Sequence, residues 1–186
     1  MPSNILLLTF TNKAAREMLD RVAALIPHDI SGLWGGTFHS VGNRILRRHP
    51  NEAGFAPGFS IMDREDQEDM LDSVIGSLGV DTKAKRFPKG EVLGDVLSFA
   101  LNTGRSIEDV LVEKYPHFLE YAEQISEAGK KYEAKKRSAN SMDFDDLLQK
   151  TLKLLQKEKA IAEHYQRQFQ YILVDEYQDT NHLQAD

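Results

Sequence analysis

The chain has 186 residues, 41% of them hydrophobic and 28% charged, with a formal net charge of −6. This is the composition of an ordinary soluble globular domain, or of a small domain with a second one inserted. With no cysteine in the chain, disulfides, thiolate metal sites and a cysteine nucleophile are excluded, which fits a cytoplasmic protein. The longest dense apolar run, Ile5-Leu6-Leu7-Leu8, falls far short of the roughly 20 residues needed to cross a bilayer. No positively charged flank leads into a long apolar segment, so neither a membrane span nor a secretory signal is expected. The charge is uneven: +1 over residues 1–63, −3 over 64–140 and −4 over 141–186. A general basic coat is excluded, and any nucleic-acid contact is expected to be local and within the first third.

In chain order, Asn4 to Phe10 is a continuous apolar run and predicts a short, fully buried strand. Thr11 and Asn12 are capping types, and Ala15, Met18, Leu19, Val22 and Ile26 recur at helical spacing up to Pro27. Trp34 to Phe38 predicts a second strand, weakened by Gly35 and Gly36. Ser40 is the expected cap of a short helix with Val41, Ile45 and Leu46 inward and Arg44, Arg47 and Arg48 outward. Alternating strands and helices predict an α/β unit built on a parallel sheet.

Near Asp63 the pattern changes. Asp63 caps a helix whose Met70, Leu71, Val74, Ile75 and Leu78 share a face, ended by Gly79. A second helical stretch, Val92 to Leu101, stops at Gly104. Ser106 and Asp109 form a capping pair for a third. Pro116 starts a fourth, with Phe118, Ala122, Ile125 and Tyr132 inward and a basic, solvated end at Lys130–Arg137. With no strand pattern over 64–140, this segment reads as an all-helical insertion. Asp143 to Leu155 predicts a further helix with Phe144, Leu147, Leu148, Thr151, Leu152 and Leu155 inward, and another runs to about Phe169. The chain then returns to a buried strand, Tyr171-Ile172-Leu173-Val174, ending in Asp175-Glu176.

That ending is the sharpest chemical feature. Two adjacent carboxylates at the carboxyl end of a buried strand sit where open α/β sheets bind ligands. In a nucleoside triphosphatase the first carboxylate helps hold Mg²⁺, usually through water, and the second accepts a proton from the attacking water or orients it. By itself the pattern also fits a strand that ends in two solvated acids.

The surrounding residues add to it. Asp175-Glu176-Tyr177-Gln178-Asp179-Thr180-Asn181 resembles motif II of the UvrD/Rep/PcrA-like superfamily 1 DNA helicases. Thr9-Phe10-Thr11-Asn12-Lys13-Ala14-Ala15-Arg16-Glu17-Met18 is similar to their motif Ia, and Gly36-Thr37-Phe38-His39-Ser40 to the next DNA-contacting motif. Met142-Asp143-Phe144-Asp145-Asp146-Leu147-Leu148 is similar to the segment by which those proteins return from an inserted helical subdomain. Four matches in family order cover the chain nearly end to end.

The resemblance implies a partial RecA-like P-loop NTPase sheet with an inserted all-helical subdomain. Residues 1–63 would be the first part of motor domain 1A, 64–140 the helical insertion 1B, and 141–186 the return of 1A. It also implies ATP and Mg²⁺ as cofactors, and 3′-to-5′ movement on single-stranded DNA or a 3′-tailed duplex in repair or replication. Position by position, Asp175 is the metal residue, Glu176 the catalytic one, and both face the nucleotide. Phe10, Thr11, Asn12, Thr37 and His39 match DNA-binding positions. Phe10 would stack on a base, and Thr11 and Asn12 would donate to phosphate. Spacing alone makes Phe10 a core residue and the other two caps. Arg44, Arg47 and Arg48 read as a solvated helix face in preference to one that tracks a DNA backbone, and the acids Asp143, Asp145 and Asp146 as offsetting a helix dipole rather than holding a metal. Gln178 lies near the carboxylates without an assigned role.

No Gly-x-x-x-x-Gly-Lys-[Ser/Thr] loop occurs in the 186 residues, and family members carry it upstream of motif Ia. Without its amides, lysine and hydroxyl, ATP and Mg²⁺ are not expected to bind well, and the chain by itself is expected to be inactive. The edge beside Asp175 is expected to be unpaired and to invite self-association. Three alternatives remain. One is the helicase arm of a RecB/AddA-like helicase-nuclease, and another is a naturally truncated, non-catalytic DNA- or protein-binding module. A metal-dependent hydrolase is the third, disfavoured by six scattered histidines.

Overall fold

The computed structural model describes residues 1–26, 29–79 and 87–185; the predicted helix stop at Pro27 lies outside the described residues. The chain divides into two compact units, Met1–Pro57 with Asp146–Asp186, and Gly58–Asp145.

In the first unit, β1 (Ile5–Thr9), β2 (Trp34–Thr37) and β5 (Tyr171–Val174) form a parallel sheet in the order β2-β1-β5. Leu6 pairs with Trp34 and Leu8 with Gly36 on one side of β1, and Leu8 with Val174 on the other. The central place of β1 buries Leu6, Leu7, Leu8 and Thr9, as a continuous apolar run requires. β5 carries the same kind of run, yet Tyr171, Ile172 and Leu173 are 64%, 58% and 56% exposed. The expected buried strand is therefore an exposed one, because β1 is its only partner among the described strands.

Helix α1 (Asn12–Leu25) is capped by Thr11, whose hydroxyl accepts from Ala14 N at 3.1 Å. Gly35 belongs in β2 for a packing reason: a Cβ there would stand 2.6 Å from Leu19 Cδ2 on α1. Helix α2 (Phe38–Arg48) is capped by Thr37 rather than by Ser40, whose N–H donates to the Thr37 hydroxyl at 3.2 Å. Val41, Gly42, Ile45 and Leu46 form its buried face. At Gly42 it passes close to the backbone of α7 (Phe144–Lys157), where a Cβ would meet the Leu147 carbonyl oxygen at 3.0 Å. Trp34, Tyr165 and Phe169 pack ring on ring, with centroids 5.1–6.0 Å apart. The two last rings come from the end of α8 (Lys159–Gln168) and its C-cap. A four-residue helix α9 (His182–Ala185) follows β5.

The second unit holds α3 (Arg64–Ser77), α4 (Gly90–Thr103), α5 (Ile107–Lys114) and α6 (Ala122–Ser138). Their core includes Leu71, Leu93, Val96, Val110, Leu111, Ile125 and Ala128. Asp63 and Ser106 cap as expected, and Gly104 ends α4 in the left-handed conformation. The unit is not wholly helical. Two-residue strands β3 (Ser60–Ile61) and β4 (Ser141–Met142) pair in parallel. The units accordingly divide at Pro57/Gly58 and Asp145/Asp146, several residues outside the limits of 63/64 and 140/141 set by helical periodicity. Pro116 opens a 3₁₀ turn, Pro116–Tyr121, before α6 begins.

Three expectations for side chains are corrected. Lys136, read as part of a solvated basic end, is 3% exposed. Its Nζ donates to Asp143 Oδ2 at 2.8 Å, and the Tyr132 hydroxyl donates to the same oxygen at 2.8 Å. Asp143 and Asp146 therefore do more than offset a dipole. Both are buried, and Asp146 pairs with Lys150 at 3.2 Å. Phe144, expected inward, is 55% exposed.

Candidate nucleotide and DNA site

The three strands of the first sheet run in parallel, so their carboxyl ends reach one edge. β1 delivers Phe10, Thr11 and Asn12 there, β2 delivers Thr37 and then Phe38 and His39, and β5 delivers Asp175 and Glu176. All seven candidate residues are brought to this edge. Neighbouring strands lie about 4.8 Å apart. Asp175 therefore sits one strand from the end of β1, and the end of β2 lies one strand beyond that.

The Asp175 N–H donates to the Leu8 carbonyl at 2.9 Å and carries the β1–β5 ladder one residue past the strand. Both carboxylates are exposed. Glu176 adopts φ 52° and ψ 46°, the left-handed region, which a non-glycine residue occupies at a cost of about 1–3 kcal/mol. Its carbonyl accepts from Asp179 N at 2.9 Å as the chain turns into the 3₁₀ segment Tyr177–Asp179. The Gln178 side-chain amide donates to Glu176 Oε2. The sequence assigned Gln178 no role; in the structure it is hydrogen-bonded to the second carboxylate.

Phe10 is partly buried and lies tilted against Phe38, with ring centroids 5.6 Å apart. Phe38 is the residue that the sequence reading missed at this edge, and its place at the first position of α2 was the available signal. Thr11 and Asn12 are exposed, His39 is half-buried, and Thr37 is buried. The hydroxyls of Thr11 and Thr37 each accept a capping hydrogen bond. A hydroxyl that accepts still has its own proton to donate, so capping a helix and donating to a phosphate are compatible roles.

Asp175 and Glu176 belong to no larger ligand cluster: among the described residues, no group of three or more His, Cys, Asp or Glu could hold a metal ion. One face of the first unit opens into a cavity of about 690 Å³ lined by apolar side chains such as Leu8, Phe38, Ile45, Leu152 and Val174. Apolar walls of this kind offer nothing to a triphosphate.

Comparison with known proteins decides the family. The UvrD/REP helicase N-terminal domain matches residues 1–186. The chain belongs to this family. It is 39% identical over 184 residues to the ATP-dependent DNA helicase PcrA of Leuconostoc citreum, covering 98% of this chain and 24% of the relative. Identity is also 39% over 183 residues to PcrA of Bacillus subtilis, again 98% of this chain and 24% of that protein. The ATP-dependent DNA helicase UvrD1 of Mycobacterium leprae is 39% identical over 184 residues, 98% of this chain and 23% of the relative. The chain thus spans about a quarter of the length of these curated relatives. As a family member it is a mixed helix-and-strand protein, and among its described residues no helix is long and apolar enough to cross a membrane.

Proposed function

We propose that this chain is a fragment of the first motor domain of an ATP-dependent DNA helicase that moves 3′ to 5′ on single-stranded DNA in repair or replication. The observation that carries the reading is the single sheet edge that gathers the Asp175-Glu176 pair with Phe10, Thr11, Asn12, Thr37 and His39. In this reading the first unit is the RecA-like domain 1A and the second is the insertion 1B. The names of the relatives, ATP-dependent DNA helicases, support the activity class.

The donor set fits Mg²⁺ as a nucleotide-bound ion and does not fit a protein-caged one. Mg²⁺ takes one or two carboxylates and completes its shell with water and phosphate oxygens, and an exposed carboxylate pair is what the edge presents. Asp175 would hold the ion through water, and Glu176 would accept the proton of the attacking water. Bound Mg²⁺ would supply charge neutralisation on the transferred phosphoryl group. Gln178 keeps the Glu176 carboxylate oriented. Phe10, partly buried beside Phe38, offers its ring for stacking, while the Thr11 and Thr37 hydroxyls and the Asn12 amide donate to phosphates. Coupling follows from placement: β1 lies between the carboxylate strand and β2, so a shift at the nucleotide passes through one strand to both DNA-contacting segments.

A polypeptide of these 186 residues alone is expected to be inactive, because no phosphate-binding loop occurs within it and positioning dominates phosphoryl transfer. The test compares ATP and single-stranded DNA binding, and ATP turnover, for this polypeptide and for one joined upstream to the phosphate-loop segment of Bacillus subtilis PcrA. The joined form is expected to bind ATP and to respond to DNA. Turnover by the 186-residue form that disappears in Glu176→Gln would refute the inactivity. DNA binding by neither form would refute the assignment of the edge.

A further inference from the structure

The arginines of α2 are not a freely solvated helix face. The Arg44 guanidinium carbon lies 3.7 Å from the centroid of Trp34, and that of Arg48 lies 4.6 Å from the same ring. Trp34 is 3% exposed, while both arginines are exposed, so the guanidinium groups are part of what covers the indole. Arg48 also lies beside the hydroxyl of Tyr165, which stands 3.2 Å from His49 Nε2. Arg47, between them in sequence, points to Asn43 instead, with Nε to Oδ1 at 3.2 Å.

Two features set this cluster apart from ordinary surface charge. Residues i and i+4 of a helix share a face, and like charges so placed repel. Yet neither Arg44 nor Arg48 forms an ion pair among the described residues, although the chain carries 29 acidic residues against 23 basic ones. Burial first, and then the charge of Arg48, push the Arg44 guanidinium below its ordinary pKa, and no carboxylate offsets this. Both guanidinium groups also lie within cation–π distance of the one indole, an attraction that offsets part of the cost of holding two cations side by side.

We propose that Arg44 and Arg48, set over Trp34, form a second nucleic-acid contact, a phosphodiester-binding site at the amino edge of the sheet. This rests on the reading of the chain as part of a DNA motor. Trp34 opens β2 and Thr37 closes it, so the site lies about 10 Å along the strand from the edge described above. The ring beneath the guanidinium groups is buried, leaving no open face for a base to stack on. What the site offers is positive charge and N–H donors, which is the chemistry that holds a phosphate backbone without reading sequence.

Trp34 is the only tryptophan in the chain and reports on its own site. Titration of the 186-residue chain with a thymidine oligonucleotide is expected to change Trp34 emission saturably. Labelled-oligonucleotide anisotropy, repeated over a range of salt, gives affinity and slope. The Arg44→Gln/Arg48→Gln double variant is expected to weaken binding about 10-fold at low salt. Its log–log salt slope is expected to fall by about 0.7 for each phosphate released. The Arg44→Lys/Arg48→Lys variant keeps the charge and should keep most of the slope, which separates lost contact from lost folding. Phe10→Ala should weaken binding while leaving the emission change at saturation. Binding that is sensitive to Phe10 but blind to both arginines overturns this inference and leaves the proposed function standing; no binding by the 186-residue chain overturns this inference, and no binding by the form joined to a phosphate loop as well overturns both. Tighter binding of poly-glutamate than of the oligonucleotide would assign the site to acidic peptides and overturn it as well.

Discussion

Replacing Lys136 by Met should unfold the second unit far more readily than a surface lysine change would. Lys136 is 3% exposed and Asp143 5% exposed, with Nζ 2.8 Å from Oδ2. Removing the ammonium leaves a buried carboxylate with the Tyr132 hydroxyl still donating to it. Breaking a buried pair by deleting one partner costs about 3–5 kcal/mol. The retained Tyr132 bond, one charge-assisted hydrogen bond of about 1.5–3 kcal/mol, places the expected loss near the lower end, about 3 kcal/mol. For a urea m-value of about 2 kcal/mol per molar, the midpoint moves down by about 1.5 M. The assay is urea unfolding followed by circular dichroism, for wild type, Lys136→Met, Asp143→Leu and the double variant. The double variant should recover most of the loss, because well-packed apolar replacement of a buried pair is often neutral or better. A Lys136→Met midpoint within about 0.3 M of wild type, equivalent to under about 0.6 kcal/mol at that m-value, would show that the pair is solvated in solution and would refute the reasoning.

Further outcomes follow from the same structure. In the form joined to a phosphate loop, Glu176→Gln should lower ATP turnover by about 10²- to 10⁴-fold with nucleotide binding retained, measured by phosphate release; undiminished turnover would remove Glu176 from the chemistry. Phe10→Ala should weaken single-stranded DNA binding by about 5- to 150-fold, the equivalent of about 1–3 kcal/mol per stacked base, and an unchanged affinity by anisotropy would make Phe10 a core residue only. Leu173→Lys should reduce self-association of the 186-residue chain at high concentration, because Leu173 is 56% exposed on the edge strand and edge lysines disfavour pairing; a clean monomer by light scattering for both forms would discard the edge-pairing expectation. Gly42→Ala should destabilise the first unit by about 1–3 kcal/mol, since its Cβ would stand 3.0 Å from both Leu147 O and Thr151 Oγ1. Thermal unfolding checks this, and an unchanged midpoint would show that α7 yields at no cost.

Much of the local structure was legible because it is decided within a few residues. The apolar run before Thr9 predicts a strand, Thr11, Asp63 and Ser106 predict helix starts, and Gly104 predicts a stop. Each acts through a hydrogen bond or a backbone angle inside one turn. The carboxylate end of the candidate site was legible for a related reason: Asp175 comes directly after a strand-like run, where open α/β sheets bind ligands. Phe10, Thr11, Asn12, Thr37 and His39 were legible only through the family resemblance.

What the chain could not reveal by pattern was which run would be central. β1 and β5 are both short apolar runs, yet one is buried and the other exposed, because burial depends on neighbours supplied from distant sequence. The same holds for charge. Lys136, Asp143 and Asp146 look like surface residues until helix packing closes over them, and Arg44 and Arg48 look solvated until Trp34 is placed beneath them. Capping, periodicity and the strand-end position of the carboxylates are local physics, and the sequence alone determined them. Burial, ion pairing and the stacking of two arginines on one indole are set by long-range contacts, and only the tertiary structure decided those.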